Sequence, residues 1–368
     1  MAPSHGGCQG EAITATTTLP KRAAPAAAAL DRFPDVRGHL DVATSGLPPL
    51  IAVAAVHEAV AAWAEGRIDG ASFDVAVDRS RAAFARLVGA EPCDVACGAN
   101  VSVFAGLVAA SVRPGSEVLV AAGDFTSVLF PILVQQSRGV RVREVPLGRL
   151  PEAVDARTSL VAVSAVQSAD GRVLDLDALA AAAAEHGAEV FLDVTQAAGW
   201  LAVDASRFTY VCGGAYKWLL SPRGTAFLAV RPEAVERIAP HTAGWYAAQD
   251  PWSACYGGPL RLPHTAKRFD VSPAWICWAG TAPAIELVAD LGVEAVGAYD
   301  LALAARLRDG LGMPPSDSAI VIAQSPDAAR RLTRAGIRAS VRAGRVRLSC
   351  HLPATFDDVD RALEALVP

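Results

Sequence analysis

Residues 191–224 read FLDVTQAAGWLAVDASRFTYVCGGAYKWLLSPRG. Phe191-Leu192 is a short apolar run that ends in Asp193, and Gln196 follows one turn on. A second apolar run, 208–212, leads into Gly213-Gly214-Ala215-Tyr216-Lys217-Trp218. Short apolar runs bounded by glycine and turn residues predict buried strands. A carboxylate at the end of one such strand and a lysine just after another can be brought to opposite sides of one small ring.

That pairing has a chemical use. A lysine amine condenses with an aldehyde to give a Schiff base. In enzymes that use pyridoxal 5'-phosphate (PLP), a lysine holds the cofactor and an aspartate pairs with its pyridinium nitrogen. A charge pair at about 4 Å is worth about 4 kcal/mol at an effective dielectric of about 20. That raises the pKa of the ring nitrogen by about three. The ring stays cationic and accepts electrons from a substrate carbanion.

Working outward, strands are predicted over 95–98, 118–121, 140–145 and 160–166, besides the two in the quoted stretch. Helices are predicted over 50–65, 72–89 and from about 100 to 112, with an alanine-rich one ending at His186-Gly187. The alternation predicts an α/β fold, a mainly parallel sheet with helices on both faces. Ligands of such sheets lie outside the carboxyl ends of the strands. Gly98, Phe125, Gln167, Asp193 and Lys217 all follow predicted strands, so they can converge on one crevice. A G-x-G-x-x-G dinucleotide fingerprint after the first strand is absent.

Beyond residue 230 the chain is rich in Gly, Pro and Trp. A helix is expected from Ile285 to about Leu307. A small α+β C-terminal part follows, with strands over 320–323, 337–341 and 345–348 and a closing helix over 357–366 capped by Thr355. The expected organisation is a disordered lead-in over 1–31, a segment over 32–48 joining the small domain, a large domain over 49–259 and a small one over 260–368.

The chain has 368 residues, 52% hydrophobic and 19% charged, with a formal net charge of -5. It carries no basic run, which argues against nucleic acid. No apolar stretch is long enough to span a membrane. Seven scattered cysteines without a C-x-x-C pair give no metal site and no disulfide framework, which fits thiols in a reducing cytoplasm.

Together Asp193, Gln196, Gly199, Lys217, Trp218 and Pro222-Arg223-Gly224 fit, in order, the pattern of the aminotransferase class V family, which this chain resembles over about 32–366. The resemblance implies the PLP-dependent transferase fold type I and an internal aldimine at Lys217. It further implies that Asp193 pairs with the pyridinium nitrogen and Gln196 bonds the ring's phenolic oxygen. Gly98-Ala99-Asn100 stands where the family has a phosphate-holding Gly-Ala-Thr-like element, with Asn100 in the hydroxyl position. Helix N-termini suit that task. Phe125 matches the position that stacks on the pyridine face, and Tyr216 one whose hydroxyl reaches the phosphate. Both resemble kynureninase-like members, whereas cysteine desulfurases usually carry His at each. Gln167 is a further cofactor contact.

Arg268-Phe269-Asp270 and Gly280-Thr281-Ala282-Pro283 resemble the family's R-F-E and G-T-P elements. The second implies a homodimer in which Thr281 helps complete the neighbouring active site. Residues 346–351 resemble the R-h-S-x-H strand whose arginine binds the substrate carboxylate. Arg347 is the first choice, with Arg342 and Arg345 read as alternating on the same strand face. Ser45 lies in a turn near the substrate. The implied function is that of a PLP-dependent enzyme acting on an amino acid or amine, with transamination as the default. A C–S or C–C lyase and a non-catalytic PLP-binding protein are the alternatives. Residues 323–335 contain no cysteine, which disfavours a persulfide-forming desulfurase.

Overall fold

A computed structural model describes residues 19–324 and 327–367. The helices are α1 (Ala24–Ala27), α2 (Leu50–Ala64), α3 (Asp74–Val88), α4 (Val101–Ser111), α5 (Thr126–Leu133), α6 (Leu150–Ala153), α7 (Leu176–His186), α8 (Trp275–Leu291), α9 (Val293–Gly310), α10 (Ala328–Arg334) and α11 (Phe356–Leu366). Seven strands form the large sheet: β1 (Val95–Gly98), β2 (Glu117–Ala121), β3 (Arg141–Val145), β4 (Thr158–Ser164), β5 (Glu189–Asp193), β6 (Tyr210–Gly214) and β7 (Ala226–Val230). Their order is β1-β7-β6-β5-β4-β2-β3.

Only β7 runs against its neighbours, so the sheet is mainly parallel, as expected. Strands β1, β2, β4, β6 and β7 are buried throughout apart from one residue of β4. Their near-continuous apolar runs reflect a sheet covered on both faces. One face packs Phe84, Trp218 and Phe227, the other Phe104, Phe191 and Tyr210. Since β1, β2, β4, β5 and β6 point the same way, the residues that follow them meet along one edge.

A second sheet holds β8 (Ile320–Ala323), β9 (Ser340–Arg342) and β10 (Arg345–Ser349) in the antiparallel order β8-β10-β9. Thr355 caps α11 through a capping box with Asp358, worth about 1 kcal/mol. Residues His39 and Asp41 make isolated parallel bridges to Arg338 and Ser349.

Four expectations need correction. The lead-in was drawn too far: 21–32 form short helical turns, with Ala23 and Ala26 buried in the core. Residues 1–18 lie outside the described residues. The single helix expected over 285–307 is two helices, α8 and α9, broken at Gly292, whose φ of 83° suits glycine. Helix α8 packs against α2 and α3 beside the large sheet, so a boundary at 260 falls ahead of a helix that belongs with the larger layer. Arg342 does not share a strand with Arg347; it lies on β9, across the turn, opposite Arg345.

Candidate active site

A cavity of about 340 Å³ opens at the carboxyl ends of the parallel strands. Asp193 ends β5, and Lys217 lies three residues past β6, its parallel neighbour. Both line the cavity. The Asp193 Oδ1 atom accepts from the Thr195 N–H at 2.8 Å and the Thr195 hydroxyl at 2.5 Å. Thr195 Oγ1 in turn accepts from the Gly214 N–H at 2.9 Å, which fastens the end of β5 to the end of β6. The Oδ2 atom of Asp193 has no hydrogen-bond partner among the described residues.

Burial pushes the Asp193 carboxyl up to about 6, against the pull of its Thr195 bonds and the Lys217 charge. Burial brings the Lys217 amine down to about 8; Asp193 opposes this, while Arg347, Arg342 and Arg223 add to it. Only 5% of Lys217 is exposed. Its Nζ lies 5.3 Å from the Phe125 ring centre and 5.6 Å from that of Tyr216, and makes no hydrogen bond with the described residues. A buried, partly neutral, unengaged amine is the state a nucleophilic lysine requires.

At the other end of the cavity lies the start of α4. Asn100 is its N-cap, and Oδ1 accepts from the Val103 N–H at 3.1 Å and the Ser102 hydroxyl at 2.7 Å. The remaining first-turn N–H groups face an anion site by virtue of the helix end. Gly98 and Ala99 lead into it; a Cβ at Gly98 would strike the Phe104 ring at 2.6 Å. Arg223 also lines the cavity and stacks on the Tyr216 ring at 5.0 Å, with no carboxylate partner among the described residues. An unpartnered carboxylate oxygen, an unengaged amine and a cationic helix-end cradle match the ring nitrogen, aldehyde and phosphate of PLP. The residues fit that cofactor.

Phe125 is set by Asp124. The Oδ1 atom accepts from the Phe125 N–H at 2.6 Å and the Ser164 hydroxyl at 2.6 Å, and Oδ2 from the Ser164 N–H at 2.8 Å. This clamp joins the ends of β2 and β4 and holds the ring at the cavity edge.

Other expected residues lie differently. Gln167 is buried, reaches toward the Ser164 carbonyl at 3.4 Å and does not line the cavity; Ser164 and Ser168 do. Gln196 lines the cavity, but its amide is engaged. Nε2 donates to the Ala43 carbonyl at 3.0 Å and Ser168 Oγ at 3.1 Å, and Oε1 accepts from the Trp218 indole at 2.7 Å. Thr281 is fully buried in the middle of α8. Its hydroxyl donates to the Cys277 carbonyl at 2.8 Å and meets Thr225 Oγ1 at 3.1 Å, and it does not line this cavity. Ser45 is exposed and lines an adjacent hollow instead.

Arg347 is fully buried. Nη1 donates to the Ser168 carbonyl at 2.6 Å and hydroxyl at 3.0 Å, and Nη2 to Thr44 Oγ1 at 2.8 Å. Burial brings its pKa down to about 10, and Arg342 adds to the fall. Through Ser168 it adjoins the cavity wall. His351, just beyond β10, bridges Asp300 at 2.6 Å and the Trp218 carbonyl at 2.9 Å, so it braces the lysine loop. Sequence reasoning missed Thr44, Asp124, Ser164, Ser168 and Thr195. Thr195 carried a local signal, two residues after Asp193; Thr44 carried none.

The family model for aminotransferase class V matches residues 43–361. The chain is 30% identical to isopenicillin N epimerase of Streptomyces clavuligerus over 247 residues, and the match spans 60% of each chain. It is 26% identical to the uncharacterized aminotransferase YcbU of Bacillus subtilis (strain 168), over 81% of this chain and 85% of that one. Among solved structures, the cystine C–S lyase C-DES in complex with its reaction product cysteine persulfide superposes with a TM-score of 0.81. Identity there is 21%, over 90% of this chain and 97% of that one. The cysteine desulfurase CsdA of Escherichia coli gives a TM-score of 0.78 at 20% identity, over 93% and 97%. With the sheet, the lysine and the aspartate placed as they are, the chain belongs to the aminotransferase class V family of PLP-dependent enzymes.

Proposed function

We propose that the protein is an aminotransferase that acts on an amino acid, with Lys217 both anchoring the cofactor and carrying the proton at the substrate Cα. One observation carries this reading. The unpartnered Asp193 oxygen, the unengaged Lys217 amine and the start of α4 converge on a single cavity. PLP, when bound, supplies the electron sink for a carbanion at Cα.

The chain's own residues do the rest. Asp193 would hold a proton on the ring nitrogen. The first turn of α4, Asn100, Ser102 and Arg223 would hold the phosphate, with the Tyr216 hydroxyl near it. Phe125 would stand at the ring's side of the cavity. Arg347, behind Ser168, would take the α-carboxylate by exchanging its bonds to Ser168 and Thr44 for the acid's oxygens. No histidine lines the cavity, so Lys217 is the proton carrier within reach of Cα. No cysteine lines it either, which leaves a persulfide-forming desulfurase without its thiol.

The reading extends to a homodimer working in a reducing cytoplasm. Helix α2 exposes Leu50, Ile51, Val60 and Trp63, and a hollow beside it is lined by Trp63, Ile68, Trp275 and Ile276. An apolar face of that extent is suited to a second copy. Among the described residues no helix is long and apolar enough to cross a membrane.

The test is the visible absorbance of the PLP-loaded protein during titration with amino acids. Loss of the band with release of a 2-oxo acid supports transamination. A band that returns while pyruvate or a thiol is released assigns the protein to elimination instead. No band with excess PLP, and no change on Lys217→Ala, overturns the reading.

A further inference from the structure

Two guanidinium groups meet behind the cavity wall. Thr44 Oγ1 accepts from Arg347 Nη2 at 2.8 Å and from Arg342 Nη2 at 3.1 Å. The two tips are therefore no farther apart than these two hydrogen bonds laid end to end. Arg347 is fully buried and locked on its other side by Ser168, with Asp41 3.7 Å away. Arg342 is half-buried. Among the described residues its only other hydrogen bond is to its own neighbour's carbonyl, Val341 O, at 2.8 Å. No carboxylate pairs with it among the described residues.

The segment that carries Thr44 runs directly past the lysine loop. The Gly46 N–H donates to the Tyr216 carbonyl at 3.0 Å, and a Cβ at Gly46 would collide with the Lys217 carbonyl. The Ala43 carbonyl is bonded to Gln196, which lines the cavity. The arginine pair thus stands one strap's thickness from the reacting centre, close enough to lower the affinity of Lys217 for its proton.

The charges around the cavity do not balance. Lys217, Arg223, Arg342 and Arg347 are the basic groups, four in number, and Asp193, Asp124 and Asp41 the acidic ones, with Asp124 already bonded to Phe125 and Ser164. In the reading above, Lys217 and Asp193 are taken by the cofactor's aldehyde and ring, and Arg223 by its phosphate. Arg347 is taken by the α-carboxylate. Arg342 is left over. A half-buried guanidinium that stands behind the cavity wall on Thr44, with no carboxylate of its own among the described residues, is a site for an anion.

We propose that Arg342 binds a second anionic group on the substrate, so that the protein's substrate is an amino acid with an acidic side chain. This rests on the PLP reading for the place of the α-carboxylate. The shared hydroxyl of Thr44 sets the spacing, which suits two carboxylates separated by two or three carbons.

The test needs no turnover. Succinate and glutarate carry two carboxylates and no amine; butyrate and valerate are their one-carboxylate counterparts. Calorimetric titration of each into the PLP-loaded and the PLP-free protein gives the preference directly. The diacid is expected to bind at least tenfold more tightly than the monoacid of equal length. Arg342→Gln should bring that ratio close to one, and Arg342→Lys, which keeps the charge, should restore part of it. The thermal midpoint of each variant shows that it is folded. Equal binding of diacid and monoacid by the unaltered protein overturns the proposal, as does an unchanged ratio in Arg342→Gln. The PLP reading fails separately, by the absence of a visible band. A band without diacid preference therefore removes only the role of Arg342, and diacid preference without a band leaves the anion pair standing.

Discussion

The cavity has two walls that are built in opposite ways. The cofactor wall takes Asp193, Thr195, Gly214 and Lys217 from two neighbouring parallel strands, within one short stretch of chain. On the proposed carboxylate side, Ser168 lines the cavity and accepts from Arg347, 179 residues along the chain, which lies behind it and is bonded to Thr44, 303 residues away. The first wall is written in spacing along the chain. The second exists only once the small sheet, the 41–46 strap and the loop after β4 have been brought together. The difference predicts that the first wall governs whether chemistry happens and the second governs what enters.

The largest effect expected is that of Lys217→Ala, which should lower turnover by about a thousandfold or more and abolish the visible band. Single-turnover kinetics with spectra would check this. Asp193→Asn should come next, with kcat lower by about a hundredfold and KM little changed, since the carboxylate acts on the ring rather than on substrate binding. A rise in KM alone would break the division between the walls.

The third effect is on pH. The Lys217 amine titrates near about 8 in the fold. Its condensation rate with PLP should therefore climb about tenfold per pH unit below that value and level off above it. Lysine's ordinary value is 10.5, so between 8 and 10.5 the unfolded chain binds more protons than the folded one. The stability of the cofactor-free protein should accordingly rise with pH across that window. Stopped-flow mixing and thermal melts over the pH range measure both.

The smallest effect is that of Thr44→Val, which removes one acceptor shared by two guanidiniums. It should cost about 1–2 kcal/mol of stability and weaken carboxylate binding several-fold, with kcat nearly intact. A loss of kcat as large as that of Asp193→Asn would merge the two walls into one.

The same contrast explains what the sequence disclosed. The apolar runs before Asp193 and Lys217 announce strand ends, and a parallel sheet must bring strand ends to one edge. Gly98, Asn100 and Phe125 become legible for that reason. Thr44 has no such signal; it is one residue of a Pro/Gly turn until Arg347 arrives from the far end of the chain. Ser45, its neighbour, looks equally suitable in the sequence, and only the fold separates the two. A short local pattern does not show that the Thr281 hydroxyl is buried inside α8. Of the neighbours Gln167 and Ser168, it is Ser168 that lines the cavity, a difference of register that the sequence does not show.

The amide of Gln196 has one more consequence. Its two ends are gripped by different parts of the molecule, the Trp218 indole on one side and Ala43 and Ser168 on the other. Being planar, it cannot release one grip without tilting against the others. The strap at Ala43, the loop at Ser168 and the residue that follows Lys217 are thus tied together through a single side chain.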